Sequence, residues 1–149
     1  VAGVNSRLDT IQAIVGWHAL REVGETTEKR NENARRYDDG LWSVNGIAIP
    51  ERDPLARHAY HLYVVYAENR DGLIHYLEAH GVEAKVHYPK LIPNQPGYRF
   101  LGYKPGAFPN AEEYTRKAIS LPIHQFLKGE QIDYTIDCIR RYYAGGLDK

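Results

Sequence analysis

Residues 58–89 read HAYHLYVVYAENRDGLIHYLEAHGVEAKVHYP, and their patterning decides the fold. From His58 to Glu68 the run is β-branched and aromatic, the composition of a strand. RDGLIHYLEAHG then spaces Leu73, Ile74 and Leu77 along one helical face and stops at Gly81, so a helix is predicted. VEAKVHYP alternates Val82, Ala84 and Val86 against Glu83, Lys85 and His87, the pattern of a half-buried strand that Pro89 ends. Strand, helix and strand in succession call for a layered domain.

Working outward, GIAIPE (46–51) is a short candidate strand closed by Pro50. Before it, ETTEKRNENARRYDDGLWS (25–43) is polar with few apolar positions. It predicts an exposed helix that ends near Gly40 and leads to Leu41 and Trp42. The stretch GVNSRLDTIQAIVGWHAL (3–20) predicts a helix capped by Asn5 or Ser6, with Asp9 completing a near capping box. Its apolar residues Leu8, Ile11, Ile14, Val15, Trp17, Ala19 and Leu20, with Val23 beyond, lie on nearly every side, which marks a helix buried on several sides. Downstream, Pro and Gly make 90–109 a long ordered loop. Two helices follow, about 110–119 capped by Asn110 and about 129–143, and the tail AGGLDK is expected to fray. The whole is α+β, a mainly antiparallel sheet with flanking helices. Such a sheet covers only one face of the first helix.

Charge is balanced, 19 basic residues against 19 acidic, which gives no reason to expect nucleic acid or an anionic membrane as partner. No apolar run approaches the roughly 18 residues of a membrane span. The single cysteine, Cys138, reads as a buried thiol and fits a reducing cytoplasm. There is no methionine, even at position 1, so the chain is expected to be the later piece of a longer one.

Chemistry is sparse. His58 and His61, three apart in a predicted strand, fall on opposite faces and make a poor metal pair. The sequence contains no nucleophile elbow, P-loop or dinucleotide glycine pattern. His87-Tyr88-Pro89 sits where the chain leaves the sheet for the long loop, and His87 there is either a polar-substrate group or an exposed strand-end histidine. Asn5-Ser6-Arg7 opens a helix whose free N–H groups attract anions, or it is simply the cap.

Taken together, GVNSRLDTIQA, HAYHLYVV, VHYP…QPGYRFLGY, GAFPNAEEYTRKAISLPIH and GEQIDYTIDCIR resemble, in order, the C-terminal portion of the DegT/DnrJ/EryC1/StrS sugar aminotransferases. The resemblance covers Gly3 to about Arg140. It implies the small domain of a fold-type-I enzyme preceded by a long interdomain helix: interface helices over 1–40 and an α+β domain over 41–149. It also implies pyridoxal 5'-phosphate, a homodimer, a nucleotide-linked keto sugar and an amino donor such as glutamate. The family's Schiff-base lysine lies upstream of the Asn-Ser-Arg-Leu stretch. None of Lys29, Lys85, Lys90, Lys104, Lys117, Lys128 and Lys149 sits in its motif, so this chain alone is expected to be inactive.

By the family pattern Asn5 reaches the cofactor phosphate across the dimer, and Arg7 lies toward the sugar nucleotide. His87 and Tyr88 line the substrate end of the cleft. Where the family often has a further histidine, this chain has Pro93. The form NSRLD resembles enzymes that aminate C3 of a dTDP-linked 3-keto-6-deoxy sugar. The alternative is a stand-alone binding or regulatory domain derived from the same family.

Overall fold

The computed structural model describes residues 8–145. Asn5, Ser6 and Arg7, and most of the tail expected to fray, lie outside the described residues. Helix α1 (Thr10–Leu20) is capped by Asp9, whose side chain accepts from the Gln12 N–H at 2.9 Å while Gln12 answers to the Asp9 N–H at 3.3 Å. Asp9 and Gln12, not Asn5 or Ser6 with Asp9, thus form the capping box. No residue of α1 is buried, and Ile11 stands 76% exposed. The described residues therefore offer no cover for the helix whose sequence asks to be buried on several sides.

Helix α2 (Val23–Leu41) corrects a second expectation. Despite its polar composition it buries Ala34, Tyr37 and Leu41, residues three and seven positions apart on one face, against α5 (Gly129–Ala144). Ile132, Ile136 and Ile139 of α5, four and seven positions apart on one face, meet them. Cys138 is fully buried, as its surroundings suggest.

The sheet has three antiparallel strands in the order β1 (Ile47–Ala48), β2 (Tyr63–Ala67), β3 (Ala118–Leu121). Its register pairs Ile47 with Ala67, and Tyr63 with Leu121. Tyr63, Val65 and Ala67 alternate into the core, where Leu73 and Leu77 of α3 (Arg70–Ala79) join them. On the opposite face Tyr66 packs edge-on against Tyr114 of α4 (Pro109–Lys117) with ring centres 5.3 Å apart.

Three differences from the sequence reading have local causes. Residues 58–62 do not extend β2: Tyr60 takes φ +43°, and the His58 ring nitrogen Nδ1 accepts the Tyr60 N–H at 2.8 Å, diverting it from a ladder. The argument that His58 and His61 occupy opposite faces of one strand falls with it. Residues 82–89 keep the expected alternation, with Val82 and Ala84 buried, yet form one bridge rather than a strand. That bridge joins Lys85 and Ser120 through both backbone hydrogen bonds, 3.1 and 2.8 Å. The third is β3 itself, read as the end of a helix; all four of its residues are buried, so it shows no alternation. Likewise α4 begins at Pro109, after Phe108, rather than on an Asn110 cap.

The long loop carries two 3-10 turns, Ile92–Asn94 and Pro96–Leu101. Among the described residues no helix is long and apolar enough to cross a membrane.

A half-buried polar cluster ties α2 to the sheet. The Tyr63 hydroxyl donates to Asp38 at 2.7 Å, and Arg52 pairs with the same carboxylate at 3.2 Å. Tyr37 stacks on Tyr63 with centres 4.9 Å apart. Nearby, Gly46 turns the chain into β1 with φ +95°. A Cβ there would stand 2.5 Å from the Tyr143 ring, which is fixed by its hydroxyl donating to the Glu68 carbonyl at 2.7 Å. Gly46→Ala is expected to cost about 2 kcal/mol in urea unfolding, from the backbone conformation and the ring clash together.

Candidate functional site

The described residues line an open cavity of about 700 Å³ between the start of β2, residues 81–87, the end of β3 and the beginning of α5. His87 is the sequence-predicted residue that reaches it. The bridge between Lys85 and Ser120 sets its position, because the chain turns from the sheet immediately afterwards and Pro89 has no N–H to continue a ladder. Half-buried, the imidazole lies with Nδ1 2.9 Å from Ser120 Oγ. Ser120 is itself buried within an otherwise apolar strand.

Tyr88 behaves differently. It is 73% exposed and stands outside the cavity lining, its ring edge-on to His87 at 5.7 Å. The His87–Tyr88 peptide bond is cis. Asn5 and Arg7, the other candidates, lie outside the described residues.

Several lining residues escaped the sequence reading. Arg30, on α2, donates to the Tyr60 carbonyl at 3.1 Å and to Gln125 at 3.3 Å, tying the helix to both chain segments at the cavity wall. Its Nε is buried without a partner among the described residues. His124 lines the cavity as well, beside two residues the sequence reading names in other roles: His61, and Lys85, whose ammonium is held by Glu83 at 2.6 Å. Nothing in the polar run around Arg30 marks it out. Ser120 did carry a signal: it is the one hydroxyl in the apolar run AISLPI, and a buried polar side chain must find a partner.

The set is rich in hydrogen-bond donors and contains three imidazoles, His61, His87 and His124. It suits an oxygen-rich polar ligand. Among the described residues no three His, Cys, Asp or Glu side chains gather as metal ligands. Lys29, Lys85, Lys90, Lys104 and Lys128 are exposed, and Lys117 is occupied by Glu68 and Glu113 at 2.8 and 3.1 Å.

Comparison with known proteins matches residues 1–140 to the DegT/DnrJ/EryC1/StrS aminotransferase family. The erythromycin biosynthesis sensory transduction protein EryC1 of Saccharopolyspora erythraea is 39% identical over 140 residues, which span 94% of this chain and 38% of that protein. The dTDP-3-amino-3,4,6-trideoxy-alpha-D-glucose transaminase of Streptomyces venezuelae is 34% identical, over 94% of this chain and 37% of its own. The solved structure of S. venezuelae DesV in complex with a ketimine intermediate superimposes with a TM-score of 0.89 at 34% identity, covering 94% of this chain and 38% of that one. The chain thus spans well under half the length of the relatives it matches.

Proposed function

The chain belongs to the DegT/DnrJ/EryC1/StrS aminotransferase family, and from that membership we propose that it is the C-terminal part of a cytoplasmic, homodimeric sugar aminotransferase. The observations that carry the reading are the family match along residues 1–140 and the likeness of 94% of the chain to a transaminase of a dTDP-linked amino sugar, of which it spans only 37%. In this reading glutamate gives its amino group to a nucleotide-linked keto sugar, with C3 of a dTDP-3-keto-6-deoxyhexose as the acceptor. When bound, pyridoxal 5'-phosphate supplies the electron sink for that exchange.

The described residues do not fit the cofactor by themselves, since no described lysine is buried beside a site for it. The remaining length of such an enzyme provides that anchor, and this chain alone does not turn over. Its own residues serve the substrate. His87 and the donors around it bind the oxygens of the sugar nucleotide and orient it. Tyr88 stands at the rim, Arg7 lies toward the nucleotide, and Asn5 touches the cofactor phosphate of the facing subunit. The uncovered apolar sides of α1 pack against the cofactor-binding domain and the dimer partner.

The test is to express the chain joined to the cofactor-binding domain that precedes it. That protein is expected to take up pyridoxal phosphate, absorb in the visible and aminate a dTDP-linked 3-keto-6-deoxy sugar from glutamate, while the chain alone stays colourless. Asn5→Ala in the joined protein is expected to weaken cofactor retention, read from visible absorbance after gel filtration; unchanged retention removes Asn5 from the phosphate site. Stoichiometric cofactor on the chain alone would show that its anchor lies within these residues. A second reading, a binding or regulatory member without turnover, is favoured by the name of the sensory transduction protein EryC1. Cofactor uptake with no amination of any keto sugar supports that one.

A further inference from the structure

Ser120 is buried, and its backbone is already committed on both sides to Lys85. Among the described residues its hydroxyl has one hydrogen-bond partner, His87 Nδ1 at 2.9 Å. A neutral imidazole has one N–H and one bare nitrogen, and the proton on this contact can come from either side. Ser120 lines the same cavity, and if the ring donated, the serine proton would find no acceptor among the described residues. On a side chain only 6% exposed an unpaired hydroxyl proton is costly, so the arrangement that satisfies both groups has the serine donating and Nδ1 accepting. The ring proton then sits on Nε2, which has no hydrogen-bond partner among the described residues and belongs to a side chain that lines the cavity.

We propose that Ser120 is a positioning residue, which fixes His87 as the Nε2–H tautomer and so presents a neutral hydrogen-bond donor to the cavity. Three constraints meet on one ring. The Lys85–Ser120 bridge places the segment, the serine hydroxyl orients the imidazole, and the same hydroxyl selects the tautomer. A ring so held selects for an acceptor oxygen, a carbonyl, hydroxyl or phosphoryl, over an N–H or O–H donor at that point. That the oxygen belongs to a sugar nucleotide rests on the proposed function; the tautomer does not.

Long-range proton–nitrogen correlation NMR of the 15N-labelled chain, above the titration of its histidines, reads the tautomer of His87 directly. The wild type is expected to show Nδ1 as the bare nitrogen and Nε2 as the protonated one. The reverse assignment would overturn the proposal without any variant. Ser120→Ala keeps the backbone bridge but removes the hydroxyl, and its His87 shifts are expected to move toward the averaged values of a free imidazole. Ser120→Thr restores the hydroxyl and with it the Nε2–H pattern. An alanine variant that keeps the wild-type pattern, with unchanged unfolding midpoint, would show that something other than Ser120 sets the ring. No cofactor or substrate enters this measurement. Failure of the joined protein to aminate a sugar would therefore strike the proposed function and leave this assignment intact.

Discussion

Tyr63→Ala is expected to destabilise the chain by about 4 kcal/mol, enough to remove most of the stability of a domain this size. Tyr63 is completely buried at the start of β2, stacked on Tyr37 and within the core that the strands and helices share. Truncation to alanine leaves a cavity the size of a phenol ring and strips Asp38 of a donor. Tyr63→Phe separates the two effects. It keeps the ring and removes the hydroxyl, and Arg52 still pairs with Asp38 at 3.2 Å. The phenylalanine variant should therefore lose only about 1 kcal/mol. Urea unfolding of both variants measures the difference. Equal losses would mean that the Asp38 bond, rather than ring packing, holds β2 to α2.

The second large effect is alkaline. Burial pushes the Tyr37 phenol up from its ordinary 10.0 to about 12. Tyr63 moves in the same direction through burial and then its bond to Asp38, and burial also raises Tyr143. In the unfolded chain these phenols ionise first, so the folded state holds more protons as the pH passes 10. Their contribution to stability is whole below pH 10 and is lost as the pH climbs toward 12. Tyr37 alone accounts for about 3 kcal/mol of that loss, at about 1.4 kcal/mol for each pH unit. Stability measured by urea at increasing pH should fall steeply over this window, and tyrosinate absorbance should rise together with unfolding. Smooth ionisation of every tyrosine near pH 10 with the fold intact would contradict the burial of this cluster.

Much of the architecture could be read from single segments, because α3, α5, the centre of β2 and the alternation of Val82 and Ala84 each carry their own periodicity. Elsewhere the deciding interaction lies outside the segment. The AISL of β3 has no alternation because both of its faces are covered, and its helical neighbour gives no stop signal. Tyr37 looks like one aromatic in a charged run until α5 and Tyr63 close over it. The site divides in the same way. His87 was visible from its place at the strand end, but its partner Ser120 comes from a segment 33 residues later. Arg30 enters from still another helix, and such meetings of distant side chains leave no local mark.

The uncovered first helix also bears on how this chain can be observed. Its two tryptophans are both in water: Trp17 on α1 is 61% exposed and Trp42, just after α2, is 77% exposed. Trp17 lies on the apolar helix, with the Arg21 guanidinium 3.9 Å from its ring centre, whereas Trp42 stands beyond the end of α2. The molecule thus contains a fluorophore on the surface that awaits cover and a second one elsewhere as reference. Anything that settles on α1 changes the polarity around Trp17, and so writes its arrival into the emission spectrum without a label.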